Sequence, residues 1–488
     1  MKEKEAKLSN PNTSRGSIGL WLFVLPVLAL ILCRAAVAED WPTHLHDNHR
    51  SGATNEQLTL PLIEDWVHTT NRRPRPAWDE TPALQNFWGG TYDHRSRVIV
   101  DKAFHVVSAG DSLYFGSSNS NKVVCLEASN GSMQWKFFAG GPVRLAPAVA
   151  GGKVYFGSDD GYAYCLNATN GSLVWKKKAT ASGKLMFINS RMVSQCPVRS
   201  DVMVEDGVAY WAAGLFSGSQ TGLSRYLCAY DAETGSEIWK ITPPKPVQGY
   251  LLASTSNLYA PAGKSTPTYY RRSNGDYLGS IGSSRQGGAY AILSNDNKFF
   301  YGPHYSSSGS YLDRYDAGTG VLETMAWAPG NHLVVTDNYS YYSSDTTITK
   351  IRRSDKATVW TVASSHPYEL ILAGDTLFAG DDDEVAAIST SDGGVSWTAP
   401  VNGRVRDLAV ANGRLFVSTD LGDIHCFKSP ASGDLNIDGD VNWLDFARFA
   451  RQWVKTGCGD CDGADLAGDD GKVNGRDLKV IAESWLAP

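Results

Sequence analysis

The sequence is short of positive charge. Its 45 Lys and Arg face 51 Asp and Glu, a formal net charge of −6. No excess of cations is available to neutralise phosphates, which argues against nucleic acid as a partner. Charged residues of both signs make up only 20% against 42% hydrophobic, so the chain can build a sizeable core and is not a disordered polymer. A full-length membrane span is missing: the longest apolar run, Ile18–Cys33, has 16 residues and is interrupted by Pro26. Cysteine is sparse, with eight in 488 residues and no two adjacent. No GxSxG, HExxH, P-loop or strand-to-helix GxGxxG occurs, so no serine-hydrolase, zinc-protease or nucleotide-binding motif can be read locally.

The first 38 residues read as an export address. Lys2, Lys4, Lys7 and Arg15 precede the apolar run, and Ala36-Val37-Ala38 follows it. That is the order of a secretory signal peptide, with cleavage expected after Ala38; an uncleaved N-terminal anchor is the alternative. Arg34 makes Cys33 a poor site for lipid attachment. Without residues 1–38 the chain carries 40 basic and 49 acidic side chains, and it is expected to be secreted, periplasmic or held at a bacterial cell surface, with no span of its own.

What is abundant is repetition, the first thing to seek in a chain of this length. Residues 111–135 read DSLYFGSSNSNKVVCLEASNGSMQW and residues 152–175 read GKVYFGSDDGYAYCLNATNGSLVW. Residues 206–239 carry DGVAYWAAG and YLCAYDAETGSEIW; weaker copies begin near 256, 297, 338 and 374, and the last, NGRLFVSTDLGDIHCFK, ends at Lys428. Closing tryptophans stand at 135, 175, 239, 360 and 397. Within one unit, Val154 and Phe156 alternate as in a half-buried strand, residues 157–161 form a turn, and Tyr162–Leu166 is the next strand. Asn170-Gly171 and Thr234-Gly235 are tight hairpin signals, because such turns need the positive φ that Gly accepts. The strand ending in Trp is read as the outermost. Three to four short strands per repeat of this length describe a β-propeller blade.

Seven units are full or degraded and the eighth lacks its Trp strand. The segment LPLIEDWVHTT around Trp66 can supply it and remove the open sheet edges. The fold class expected is all-β: an eight-bladed propeller, with seven blades as the alternative, over residues 39–428. Cys125, Cys165, Cys228 and Cys426 sit at equivalent places in separate units, too far apart to pair, and read as small buried hydrophobes.

The string from Val154 to Trp175, with its Y-F-G-S-x-D-G and C-L-N-A-x-N-G-x-x-x-W segments, resembles the pyrroloquinoline-quinone (PQQ) repeat family. That family includes quinoprotein alcohol dehydrogenases and the propeller lipoprotein of outer-membrane protein assembly. DWPTHLHDNHRSGAT, residues 40–54, is similar to the opening of such secreted propellers. The resemblance implies fold more than activity. Its enzymatic members commonly use a vicinal Cys-Cys disulfide, a Trp platform, a calcium ion and an Asp base. This chain has no Cys-Cys, and no acid can be matched to that base, so PQQ binding is possible but not expected and no catalytic residue is assigned.

Other constellations carry two readings each. His44, His46 and His49 beside Asp47 fit no established metal-ligand spacing and read better as a polar loop. Residues 71–97 form a long Arg- and aromatic-rich loop in which Trp78, Phe87, Trp88 and Tyr92 can stack on a sugar or peptide, or merely plug one face. Arg144, Arg191 and Arg199 stand at strand entrances facing the channel, with a structural role as the simpler reading. Asp381-Asp382-Asp383-Glu384 reads as a solvated turn.

The tail is different in kind. After the short linker 429–433, residues 434–488 hold 11 acidic and 6 basic side chains. Asp434, Asn436 and Asp438 occupy positions 1, 3 and 5 of a 12-residue calcium loop, with Gly439 at 6, Asp440 at 7 through its carbonyl, Asn442 at 9 and Asp445 at 12. This spacing supplies the six or more oxygens that a hard cation requires. Apolar residues at helical spacing follow over Trp443–Val454. A second copy runs Asp465 to Asp477 and then LKVIAESWL. It is one residue longer and has Ala467 where Asn is expected, so its ligands are taken as Asp465, Asp469 or Asp470, Asn474 and Asp477. A charged turn between helices is the alternative for each loop. Two loop–helix units with matching Val441-Asn442 and Val473-Asn474 resemble a type I dockerin, which implies calcium and a cohesin-like or cell-surface protein partner. The partner-reading positions would be Trp443-Leu444 and Gly475-Arg476, unlike the hydroxyl pairs of cellulosomal dockerins. Cys458 and Cys461 are the only close cysteine pair, expected as a disulfide in an oxidising compartment, or more weakly as zinc ligands.

The expectation is a secreted propeller that binds an unidentified ligand without catalysis, tethered by a calcium-dependent module, in a polysaccharide-degradation context. The alternatives are a PQQ-dependent oxidoreductase and a polysaccharide-active enzyme.

Overall fold

Alternating burial within each repeat becomes four antiparallel strands. A computed structural model of the chain describes residues 38–77, 100–188, 191–214, 224–262, 265–282, 290–306, 309–468 and 470–485. In the first full unit the strands are Val106–Ala109, Ser112–Ser117, Lys122–Glu127 and Met133–Phe138, hydrogen-bonded in that order. Their burial falls from one side of the sheet to the other. Val106–Ser108 are fully enclosed, whereas the last strand exposes every residue except Trp135 and the half-buried Phe137. The first strand is therefore innermost and the Trp strand outermost.

Six four-stranded sheets of this kind follow one another, beginning at Val106, Ala148, Met203, Leu252, Tyr290 and His332. An eight-stranded sheet completes the set. The 17-residue strand Val395–Ala411 runs through its middle, pairing Asp382–Ser389 over one stretch and Arg414–Thr419 over the other. The far edge of that sheet is Ile63–Thr69, antiparallel to Asp423–Lys428, with Trp66 opposite Cys426. The orphan strand around Trp66 thus does pair with the last repeat, as its pattern required. A two-stranded hairpin, Leu185–Ile188 with Arg191–Ser194, accounts for part of the insertion before Trp239.

The repeated tryptophans join sheet to sheet. The indole N–H of Trp66 donates to Ala128 O, Trp135 to Ala168 O, Trp175 to Ala232 O, Trp239 to Arg272 O and Trp360 to Thr390 O, at 2.8–3.1 Å. Each acceptor lies in the hairpin turn of the next sheet, and that turn carries a Gly against the indole face. At Gly171, φ is +70° and an added Cβ would stand 2.6 Å from Trp135 Cε3. Gly171→Ala is expected to cost about 1–3 kcal/mol. Gly151, also left-handed at φ +55° but with open space around it, isolates the backbone contribution. If urea unfolding showed Gly151→Ala as harmful as Gly171→Ala, the indole contact would not be what demands glycine.

Cys125, Cys165, Cys228 and Cys426 are free and buried, the apolar role read from their repeats, and Cys196 is free and buried as well. After Lys428 come two helices, α1 (Trp443–Gln452) and α2 (Gly475–Trp485). They enclose a small core of Phe449, Cys461, Ala464, Val473 and Ile481. Cys458 and Cys461 are disulfide-bonded. Among the described residues, no helix is long and apolar enough to cross a membrane.

Candidate functional site

The opening segment lies across one end of the propeller axis. Trp41 exchanges backbone hydrogen bonds with Ser108, and Pro42 O accepts from Val149 N. Asn48 O accepts from Ala253 N, His49 O from Leu293 N and Gly52 O from Leu372 N, while Asn48 Nδ2 donates to Val204 O. Ala53–Thr54 pairs in parallel with Leu372–Ala373, and Glu39 O accepts from Asn412 N. Each of these partners belongs to, or directly follows, an innermost strand, so the segment forms a plug.

Its anchor is Arg50, 1% exposed and at φ +59°. The guanidinium donates to Asp201 Oδ2 at 2.5 Å, to Leu251 O at 2.9 and 3.1 Å, to Thr43 Oγ1 at 2.7 Å and to His44 O at 3.0 Å. Asp201 also accepts from Leu251 N at 2.9 Å. Burial pushes the Asp201 carboxyl up to about 6, against the pull of Arg50.

Above the plug, three groups from distant parts of the chain converge. His105 Nδ1 lies 2.9 Å from Asp407 Oδ1, and His44 Nδ1 lies 4.0 Å from the same oxygen. Asp407 Oδ2 accepts from Val106 N at 2.8 Å. The His44 ring stacks on Tyr250 at 3.8 Å between centroids. Burial, with the His105 and Arg50 charges nearby, holds His44 well below the ordinary histidine range. Burial also opposes charge on His105, but the Asp407 carboxylate and hydrogen bond outweigh it and raise this histidine.

The three histidines read together in the sequence do not converge. His44 turns to the axis, His46 packs against Trp41 and stands 3.8 Å from Glu39, and His49 contributes its carbonyl to Leu293. His105, Asp407, Arg50, Asp201 and Tyr250 carried no sequence signal, since each stands in an ordinary strand or loop string. Of the three arginines, Arg144 is buried against Asp159 at 2.9 Å, Arg191 donates to Ser118 O, and Arg199 donates to Gln248. Asp382 pairs with Arg404 at 2.6 Å and Asp383 accepts from Gly403 N, so the acidic run clamps the next connection instead of merely being solvated. Trp78, Phe87, Trp88 and Tyr92 lie outside the described residues. Among the described propeller indoles, six stand in outer strands and Trp41 and Trp211 are sealed in the core. Among the described residues there is no vicinal disulfide.

In the first acidic loop, three of the carboxylates named from the sequence come together. Carboxylate oxygens of Asp434, Asp438 and Asp445 lie within 4.8 Å of one another. Asp434 accepts from the Asp438 and Gly439 amides, and Gly439 takes φ +100°, which allows the sharp turn. Asp445, fully buried, accepts from the Asn436 and Asn442 amides, while Asn442 caps α1 through Leu444 N. Asn436 Nδ2 donates to Asp438, and Asp440 O takes the Asn442 amide. In the second loop Asp477 accepts from the Leu466, Ala467 and Asn474 amides, and Asp465 Oδ2 from Gly471 N. Asp465 Oδ1 is buried without a hydrogen-bond partner. Asp470 bonds Lys472 N and Asn474 bonds Arg476 N, whereas Asp469 lies outside the described residues. The loops join where Val454 and Lys455 exchange backbone hydrogen bonds with Val473. An all-oxygen donor set of this kind suits calcium. On α1, Trp443 and Leu444 are 71% and 61% exposed.

Comparison with known proteins agrees with this geometry. The family profile described as outer membrane protein assembly factor BamB matches residues 78–207 and 344–456, just under half the chain. The quinohemoprotein alcohol dehydrogenase ADHIIG of Pseudomonas putida HK5 superposes with TM-score 0.56 at 14% identity, over 91% of this chain and 87% of its own. That of Comamonas testosteroni gives 0.54 at 12%, over 92% and 96%. The computationally designed Ika8 protein gives 0.53 at 12%, over 67% and 96%. None of the curated proteins compared matches. The fold and these likenesses define a β-propeller. More particularly, two stretches of the chain, 78–207 and 344–456, are similar to the PQQ-like repeat family.

Proposed function

We propose that this chain is an exported, eight-bladed propeller that binds its ligand without transforming it, and that a calcium-dependent dockerin-like tail holds it to a cohesin-like or cell-surface protein. The observation that carries the reading is the tail. Three carboxylates converge at the foot of a helix whose first turn presents Trp443 and Leu444 to solvent. A cation that crosslinks Asp434, Asp438 and Asp445 fixes the start of α1 and hence the direction of those two side chains. Large exposed apolar groups beside a rigid polar loop are the composition of a docking patch. The leader before Ala38 supports export, and the four-strand pattern repeated from Val106, with Ile63–Thr69 closing the last unit, supports eight blades. Dockerin-like tails place such a protein in a polysaccharide-degrading context.

The test is calcium titration of the mature chain by calorimetry, with far-UV circular dichroism before and after chelation. Calcium uptake and chelation-dependent loss of helical signal are expected, because metal-binding free energy in such small modules is folding free energy. Asp445→Ala should abolish uptake at the first loop. Unchanged helical signal after chelation, with no heat of binding, would remove the calcium assignment. The rival reading, a quinoprotein oxidoreductase, is tested by PQQ titration: stoichiometric uptake would replace the binding role by an enzymatic one.

A further inference from the structure

The geometry points to a transition-metal site on the propeller axis, made by His44, His105 and Asp407 and suited to zinc. It is independent of the acidic loops of the tail and of the binding role proposed above. The ligand atoms of these three residues lie within 4.8 Å of one another. A tetrahedral ion with bonds of about 2.0–2.1 Å spaces its donors by roughly 3.3 Å. The measured contacts to Asp407 Oδ1, 2.9 Å from His105 and 4.0 Å from His44, bracket that value.

The donors are also prepared in the way metal ligands are. His44 Nδ1 is buried and has no hydrogen-bond partner. A buried ring nitrogen without a partner is an exception in folded proteins and calls for an explanation. The ring cannot easily turn away, since it is stacked on Tyr250. Asp407 keeps one oxygen for the cluster because Val106 N holds the other. Fixed outer partners of this kind orient metal ligands and set their basicity. Imidazole with one carboxylate suits zinc better than calcium, which prefers oxygen.

The two histidine side chains are each 13% exposed. Three protein ligands leave a further position for water or an anionic ligand. The nearby Arg50 charge is matched by Asp201 at 2.5 Å. Because the ligands come from the plug, the first sheet and the last sheet, a bound ion would also staple the plug to the seam of the ring.

The experiment uses tag-free mature protein with calcium in excess, so that the tail loops are filled before cobalt(II) is titrated. One equivalent of cobalt should bind, with the visible absorption of low-coordinate, imidazole-ligated cobalt, and zinc should displace it. His44→Gln and His105→Gln should each weaken binding by at least about tenfold, the loss that removal of even an outer partner produces. His46→Gln, in the same loop but turned away from the axis, should leave binding unchanged. Absence of cobalt uptake by the wild-type protein overturns the proposal whatever the variants do. So does absorption that survives both His44→Gln and His105→Gln, or that is lost with His46→Gln alone.

Discussion

Arg50→Met is expected to destabilise the propeller by about 3–5 kcal/mol at neutral pH, the usual cost of leaving one partner of a buried ion pair alone. The methionine fills much the same volume, so the loss is electrostatic. Asp201, 2% exposed, would keep its Leu251 amide but lose the guanidinium, and Leu251 O, Thr43 Oγ1 and His44 O would lose their donors. The deficit should depend on pH in a definite direction. In the wild-type protein the Asp201 carboxyl already stands at about 6, above its unfolded value, because burial outweighs Arg50. The folded state then binds more protons than the unfolded one across the interval between the two values, so this group's contribution to stability grows as pH falls through it. Without Arg50 the folded value rises further, so the variant gains more on acidification. The gap between variant and wild type should therefore be widest above pH 7 and narrow towards pH 5, read by urea unfolding at a series of pH values. A gap that widens on acidification would show that the deficit is carried by a group other than Asp201.

The second large effect is expected at the ring's seam. Trp66→Ala should cost about 3 kcal/mol, the low end for a Trp-to-Ala change because the indole is only half-buried. It removes the hydrogen bond to Ala128 O and the packing on Gly131. Trp135→Ala removes the same contacts one sheet further on but from a strand held in sequence on both sides. Only the first should raise hydrogen exchange across Ile63–Thr69 and Asp423–Lys428 together, since no hairpin joins the closing strand to its sheet and its loss reopens an edge. Equal exchange at the seam in both variants would show that the ring does not open there first.

Local chemistry was enough for much of this. Alternating residues such as Val154 and Phe156, Gly after Asn170 and Thr234, and the closing tryptophans specified strands, hairpins and the outer position, because each depends on neighbours within a few residues. The same holds for the tail, where Asp434, Asp438, Gly439 and Asp445 are set by loop spacing alone. Even the strand at Trp66 was legible, since an edge lacking a partner and a strand lacking a sheet imply each other.

The axis was not legible. The sequence grouped His44 with His46 and His49 because they are adjacent, whereas the fold separates them and brings His44 to His105 and Asp407. Arg50 and Asp201 are 151 positions apart, and nothing around either announces the other. A residue's partners within a strand or turn follow from the chain's own periodicity, so the sequence by itself determined the blade, the hairpins and the acidic loops. Which side chains meet at the centre depends on how many sheets form the ring and which inner-strand ends face the plug. Only the tertiary structure decided that, because closure of the ring sets those distances and no local pattern encodes them.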